Sequence, residues 1–203
     1  MFKLGDESES RQDIFDEDYL AKIDKIKLPN TKIKLLQQLL AKVIGEIKKV
    51  NRVKGIDFTK KMEALVERYN NRDVNDILRS EVYEEMADAL TNMIWEVHKE
   101  FTAGDELGIN FEEKAFYDIL KELCIKYDFK YPDKKMIELA KAVKDLVDGQ
   151  AKFPDWNKRD DIKSALKVGL ILLLDEHGYP PVERDEVYVE IFEQAENFKK
   201  NQR

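Results

Sequence analysis

Glycine and proline are too scarce in this chain for a fold made of many tight turns. Its 203 residues include eight Gly and five Pro, whereas a sandwich or barrel needs a turn signal about every 8–12 residues. Between these breakers the apolar residues recur three and four positions apart, the period of one helix face. Ile33, Leu36, Leu40, Val43, Ile47 and Val50 form one such stripe. Others are Met62, Leu65, Val66 and Tyr69; Val82, Met86, Leu90, Met93, Val97 and Phe101; Phe116, Ile119, Leu120 and Leu123; Met136, Leu139, Val143 and Leu146 or Val147; and Val187, Ile191, Phe192, Ala195 and Phe198. The pattern predicts an all-α, multi-helix bundle of about eight helices with no significant sheet.

Capping chemistry sets the expected boundaries. A short helix from Asp16 to Lys27 stops at Pro29, and the next runs from Asn30 or Thr31 to about Arg52. Gly55 is expected to break the pattern, with Asp57 or Thr59 capping a helix to Asn70. Asn70 to Asp73 reads as an internal boundary before a long helix ending near Phe101, with Gly104 and Gly108 in the loop beyond. Asn110 and Glu113 have the spacing of a capping box. Pro132 suits a helix start and Gly149 a helix end. Asn157 is expected to cap a helix closing at Gly178, and a last helix spans Arg184 to Lys200. The expected division is a polar leader at 1–12, a helical segment at 13–72 and a C-terminal helical domain at 76–203.

The single cysteine, Cys124, cannot form an internal disulfide, which points to a reducing compartment. No apolar run approaches the roughly 20 residues of a membrane span, and the acidic start from Met1 to Glu7 does not resemble a signal peptide. A cytoplasmic protein with no membrane partner is expected. The net charge of −7 conceals an asymmetry. Residues 22–54 carry ten basic and two acidic side chains, a local +8 that leaves −15 elsewhere. Lys32, Lys34, Lys42, Lys48, Lys49 and Arg52 are therefore candidate phosphate contacts to DNA, against the alternative of a solvated face.

Several strings imitate catalytic motifs. Leu170 to Glu176 resembles an apolar strand ending in an ATPase metal site, but no Gly-Lys pair exists to build the phosphate loop that site requires. The run instead continues the helical pattern of Ile162, Ala165 and Leu166. Pro154-Asp155 with Asp161-Ile162-Lys163 imitates a nuclease signature, yet no strand is predicted to present it. His98 and His177 have no metal-ligand partners at suitable spacing, and Cys124 reads as a buried structural thiol. No catalytic, cofactor-binding or metal-binding residue is assigned. Trp156, next to Lys158 and Arg159, reads either as a core plug or as a partner-binding anchor. Arg159, Tyr179 and Tyr188 join it as candidate docking residues.

Five strings carry a family resemblance: Val53 to Phe58, Leu65 to Arg72, Phe111 to Asp118, Asp155 to Arg159, and Gly178 to Pro181. In order and spacing they resemble the C-terminal helical region of type I restriction enzyme R subunits, over most of residues 13–200. The resemblance implies a parent chain with nuclease and ATP-driven motor parts upstream, so that ATP and Mg²⁺ are cofactors of the parent and none belongs to this stretch. It also implies a non-catalytic role here: residues from about 76 to 203 dock the motor subunit onto the modification methyltransferase subunit of the complex. DNA contact through the basic segment is the alternative.

Overall fold

A computed structural model describes residues 17–71, 80–150, 152, 156–180 and 185–201. Among them run eight α-helices: α1 (Glu17–Asp24), α2 (Pro29–Val50), α3 (Arg52–Asn70), α4 (Ser80–Leu107), α5 (Phe111–Lys126), α6 (Asp133–Gln150), α7 (Asp160–Glu176) and α8 (Asp185–Asn201). A 3₁₀ turn, Trp156–Lys158, precedes α7. No strand occurs among the described residues, and no described helix is long and apolar enough to cross a membrane. The all-helical expectation is met. The polar leader and the sites at Asp73, Pro154, Asp155 and Pro181 lie outside the described residues.

The chain gathers into two compact units, Met1–Glu46 with Asp57–Phe101, and Ile47–Ile56 with Thr102–Arg203. In the first unit α3 meets α4. Lys61 pairs with Glu96 at 3.0 Å, and the Tyr69 and Tyr83 rings meet edge to face at 6.2 Å. The first unit buries Leu36, Leu40 and Val43 of α2, Phe58 of α3, and Met86, Leu90, Ile94 and Val97 of α4.

In the second unit α5 to α8 form a ring of neighbours, α5 against α6, α6 against α7, α7 against α8 and α8 against α5. Phe116 near the start of α5 meets Phe198 near the end of α8, with ring centroids 5.7 Å apart. Lys163 early in α7 pairs with Glu196 late in α8, and Lys144 late in α6 with Glu112 early in α5. These pairings make each of those three contacts antiparallel, an up-and-down bundle. Its core holds Phe116, Leu120, Leu123, Leu139, Val143, Leu166, Leu170, Leu174 and Ile191.

Two backbone details differ from expectation. Gly55 lies inside the first turn of α3. A Cβ there would sit 2.5 Å from Lys48 Cα, so the residue serves close approach of two helices rather than a break. Asn157 falls in the 3₁₀ turn, and the N-cap of α7 is Arg159, which makes no side-chain cap bond. The Asn110–Glu113 capping box forms as expected: Glu113 N donates to Asn110 Oδ1 at 2.8 Å and Asn110 N to Glu113 Oε2 at 2.9 Å.

Candidate docking surface

Helix ends decide where the candidate aromatic residues go. After α7, Gly178 takes a φ of +61°. Its N–H donates to Asp175 O at 2.9 Å, and Tyr179 N donates to Leu174 O at 2.9 Å. This is a Schellman cap, whose second residue beyond the helix is turned inward. The end of α5 repeats it: Asp128 has a φ of +52° and Phe129 N donates to Cys124 O at 3.0 Å. The two inward rings, Phe129 and Tyr179, meet edge to face at 5.2 Å. Tyr179 donates its hydroxyl to Leu120 O at 2.6 Å, and burial drives its pKa far upward. Tyr131 completes the cluster, 5.0 Å from Tyr179 and donating to His177 O at 2.8 Å. Burial likewise raises the Cys124 thiol.

Trp156 is also buried, 3% exposed, with its ring 6.1 Å from Phe192. Tyr188 is equally covered. Three of the four candidate docking residues, Trp156, Tyr179 and Tyr188, are thus part of the core, where their ring area already stabilises the bundle. Arg159 alone is exposed, and it holds Asp161 through Nη2–Oδ2 at 2.6 Å and Nε–Oδ1 at 3.2 Å. That bond keeps the Asp161 carboxyl below its usual range. Asp161 of the nuclease-like string is therefore committed to an arginine. The apolar run at Leu170–Leu174 is helical, with Leu170 and Leu174 fully buried.

The six candidate DNA contacts divide as well. Lys34, Lys42, Lys48 and Lys49 are exposed on α2, opposite its buried seam. Lys32 is largely covered and pairs with Asp24, while Arg52 pairs with Glu193 at 2.8 Å.

A buried polar network around the α2–α3 junction was not foreseen from the sequence. Asn51, Lys114, Asp118 and Gln194 are all at most 7% exposed. Asn51 Nδ2 donates to Asp118 Oδ2 at 2.7 Å, and Lys114 Nζ to the same oxygen at 2.8 Å. Asn51 Oδ1 accepts from Lys54 N at 3.1 Å, which makes it the cap of α3. Gln194 of α8 bridges the break, accepting from Arg52 N at 3.0 Å and donating to Val50 O at 2.7 Å. Asn197 Nδ2 donates to Lys48 O and Lys49 O. The orphan carbonyls and amides of two helix ends are thus satisfied by α8. The one available signal was the pair Lys114 and Asp118 interrupting the apolar face of α5.

The surface also carries an apolar stripe on α7. Val168 and Leu172 are 55% and 63% exposed, Ala165 is exposed beside them, and Asp175 and Glu176 lie at the helix end.

This fold and surface define an all-α helical module with one closed antiparallel bundle and a second helical unit. The chain belongs to the family described as Type I restriction enzyme HindI endonuclease subunit-like, C-terminal, whose model matches residues 1–201. It is 26% identical over 204 residues to a Methanocaldococcus jannaschii protein named as a putative type I restriction enzyme MjaIXP endonuclease subunit, covering 97% of this chain and 18% of that protein. It is 21% identical over 196 residues to the type I restriction enzyme HindI endonuclease subunit of Haemophilus influenzae, with the same coverage of each. The chain therefore spans less than a fifth of the length of these relatives. No solved structure matches it.

Proposed function

We propose that this chain is a non-catalytic assembly region of a type I restriction endonuclease subunit, and that it docks the motor part onto the modification methyltransferase core. The observation that supports the reading most directly is the solvent-facing apolar stripe on α7, where Val168 and Leu172 stand one turn apart on one face, whereas Ile125 and Val189 are exposed singly on other helices, because contiguous exposed apolar surface marks a contact site. The complete subunit would supply ATP-driven translocation and Mg²⁺-dependent cleavage from other segments. The test is removal of residues 102–203 from the complete subunit. Co-purification with the methyltransferase should be lost and restriction abolished, with methylation unchanged; undiminished binding refutes the role.

A second reading draws on the exposed lysines of α2. Lys34, Lys42, Lys48 and Lys49 stand where phosphates are able to reach them. Neutralising all four in the complete enzyme should flatten the dependence of log K on log salt, by roughly 0.9 for each phosphate that is no longer neutralised. An unchanged slope assigns these lysines to a solvated face.

A further inference from the structure

Helix α7 is apolar on two sides. Its inner side places Leu166, Leu170 and Leu174 at 0% exposure. Its outer side places Ala165, Val168 and Leu172 in solvent, three and four residues apart. With Asp161 and Asp175 at the next positions of the same series, the outer side has the 3–4 spacing of a helix-pairing seam. Ser164 and Lys167 stand in solvent on the flank between the two sides, and the bundle covers only the inner one.

Charge says what kind of surface would cover the other. The first turn of α7 is acidic, where the positive end of the helix favours it, and Asp161 is already held by Arg159. The last turn has no basic residue, yet Asp175 and Glu176 stand there at the negative end. Neither is paired with a cation among the described residues. A second copy is a poor occupant. Antiparallel pairing that sets Val168 on Leu172 of the other copy also brings the acidic first turn toward the other's acidic last turn, and parallel pairing stacks Asp175 on Asp175. A helix with an apolar centre and a lysine or arginine at one end removes both problems, since it covers the stripe and neutralises the two carboxylates.

We propose that the outer face of α7, formed by Ala165, Val168, Leu172, Asp175 and Glu176, receives an amphipathic helix of the methyltransferase partner that presents a basic residue to Asp175 and Glu176; this rests on the docking role above. The apolar stripe supplies contact area, and the acidic end fixes the direction in which the partner helix lies.

The test uses the complete subunit and co-purified methyltransferase. Val168→Glu and Leu172→Glu should each weaken association about tenfold or more while the circular-dichroism melt stays unchanged, because both side chains are already in water. The double variant D175K/E176K should weaken association about tenfold and remove its salt dependence. Loss of folding does not explain that result, since cations at a helix C-terminus favour the helix. Backbone amides of residues 164–176 should gain hydrogen-exchange protection in the complex. If the subunit lacking residues 102–203 still binds, the docking role fails and this inference with it. If that truncation abolishes binding but the α7 variants bind as wild type, docking stands and α7 is not its surface. Wild-type binding by D175K/E176K alone overturns the basic partner. Self-association of the isolated chain that Leu172→Glu abolishes makes the occupant a second copy and also overturns it.

Discussion

At the scale of single residues, the αL caps and the buried rings give the sharpest expectations. Gly178 takes a left-handed conformation that costs a residue with a Cβ about 1–2 kcal/mol. Gly178→Ala should therefore lower stability by about 1 kcal/mol in a urea titration, with an unchanged m-value. Asp128 holds the same conformation at the end of α5, so Asp128→Gly should raise stability by about 0.5 kcal/mol after the greater freedom of glycine in the unfolded chain is set against it. Trp156 fills the core beside Phe192, and Trp156→Ala should cost about 3–5 kcal/mol. A folded Trp156→Ala variant with unaltered stability that fails to bind its partner would restore the anchor reading. Asp148 adds a pH dependence. Burial alone would raise its carboxyl, but Lys144 and Lys199, at 2.7 and 2.6 Å, hold it below its ordinary value of 3.8. The stability it contributes is complete above that ordinary value and is lost as the pH falls through the lower native one. Asp148→Asn should accordingly flatten the acid limb of the stability profile below about pH 4 and leave the slope at neutral pH unchanged.

At the scale of elements, the apolar stripes predicted from spacing occur on the helices that form. All four residues Phe116, Ile119, Leu120 and Leu123 are buried on α5, and Met136, Leu139, Val143 and Val147 are buried on α6. Ends were less legible. Phe101 and Gly104 lie within α4, which continues to Leu107, because a glycine weakens a helix without ending it when the following turn supplies the cap. Gly55 is a point of close approach and not a stop, since spacing along a chain does not reveal which backbone another helix approaches. The polar network at the α2–α3 junction has a clear energetic consequence. Lys114 and Asp118 are a charge pair at 5% and 7% exposure. Removing one partner leaves a buried charge and typically costs about 3–5 kcal/mol, whereas an apolar pair of similar volume is often neutral. Lys114→Ala should therefore destabilise by several kcal/mol in thermal melts, and the double variant Lys114→Met with Asp118→Leu should recover part of that stability. A double variant destabilised by the full sum of the Lys114→Met and Asp118→Leu single variants would show the pair to be energetically uncoupled.

At the scale of the whole molecule, the expectation concerns activity. The chain lacks the Gly-Lys-Ser/Thr phosphate loop, and no group of three or more His, Cys, Asp or Glu side chains suited to a metal ion occurs among the described residues. Purified chain with Mg²⁺, ATP and plasmid should leave both substrates intact in phosphate-release and gel assays; turnover that persists through further purification would make this region catalytic. The sequence by itself determined the all-helical class, the apolar faces of α5 and α6 and the capping box at Asn110, because period and caps are local properties that follow from backbone geometry and side-chain type. The tertiary structure decided which aromatic residues are core and which surface is left over. Trp156 read either as a core plug or as an anchor, and Tyr179 and Tyr188 as docking candidates; the choice depends on residues distant in sequence, Phe192 for Trp156 and Phe129 and Tyr131 for Tyr179. By the same logic the helical pattern of Ile162, Ala165 and Leu166 that continues through Leu170–Leu174 does not say which of its residues are covered: Leu166, Leu170 and Leu174 are buried, while Ala165 and Leu172 are exposed. Spacing tells which residues share a face; only the packing of neighbouring helices tells which face is covered.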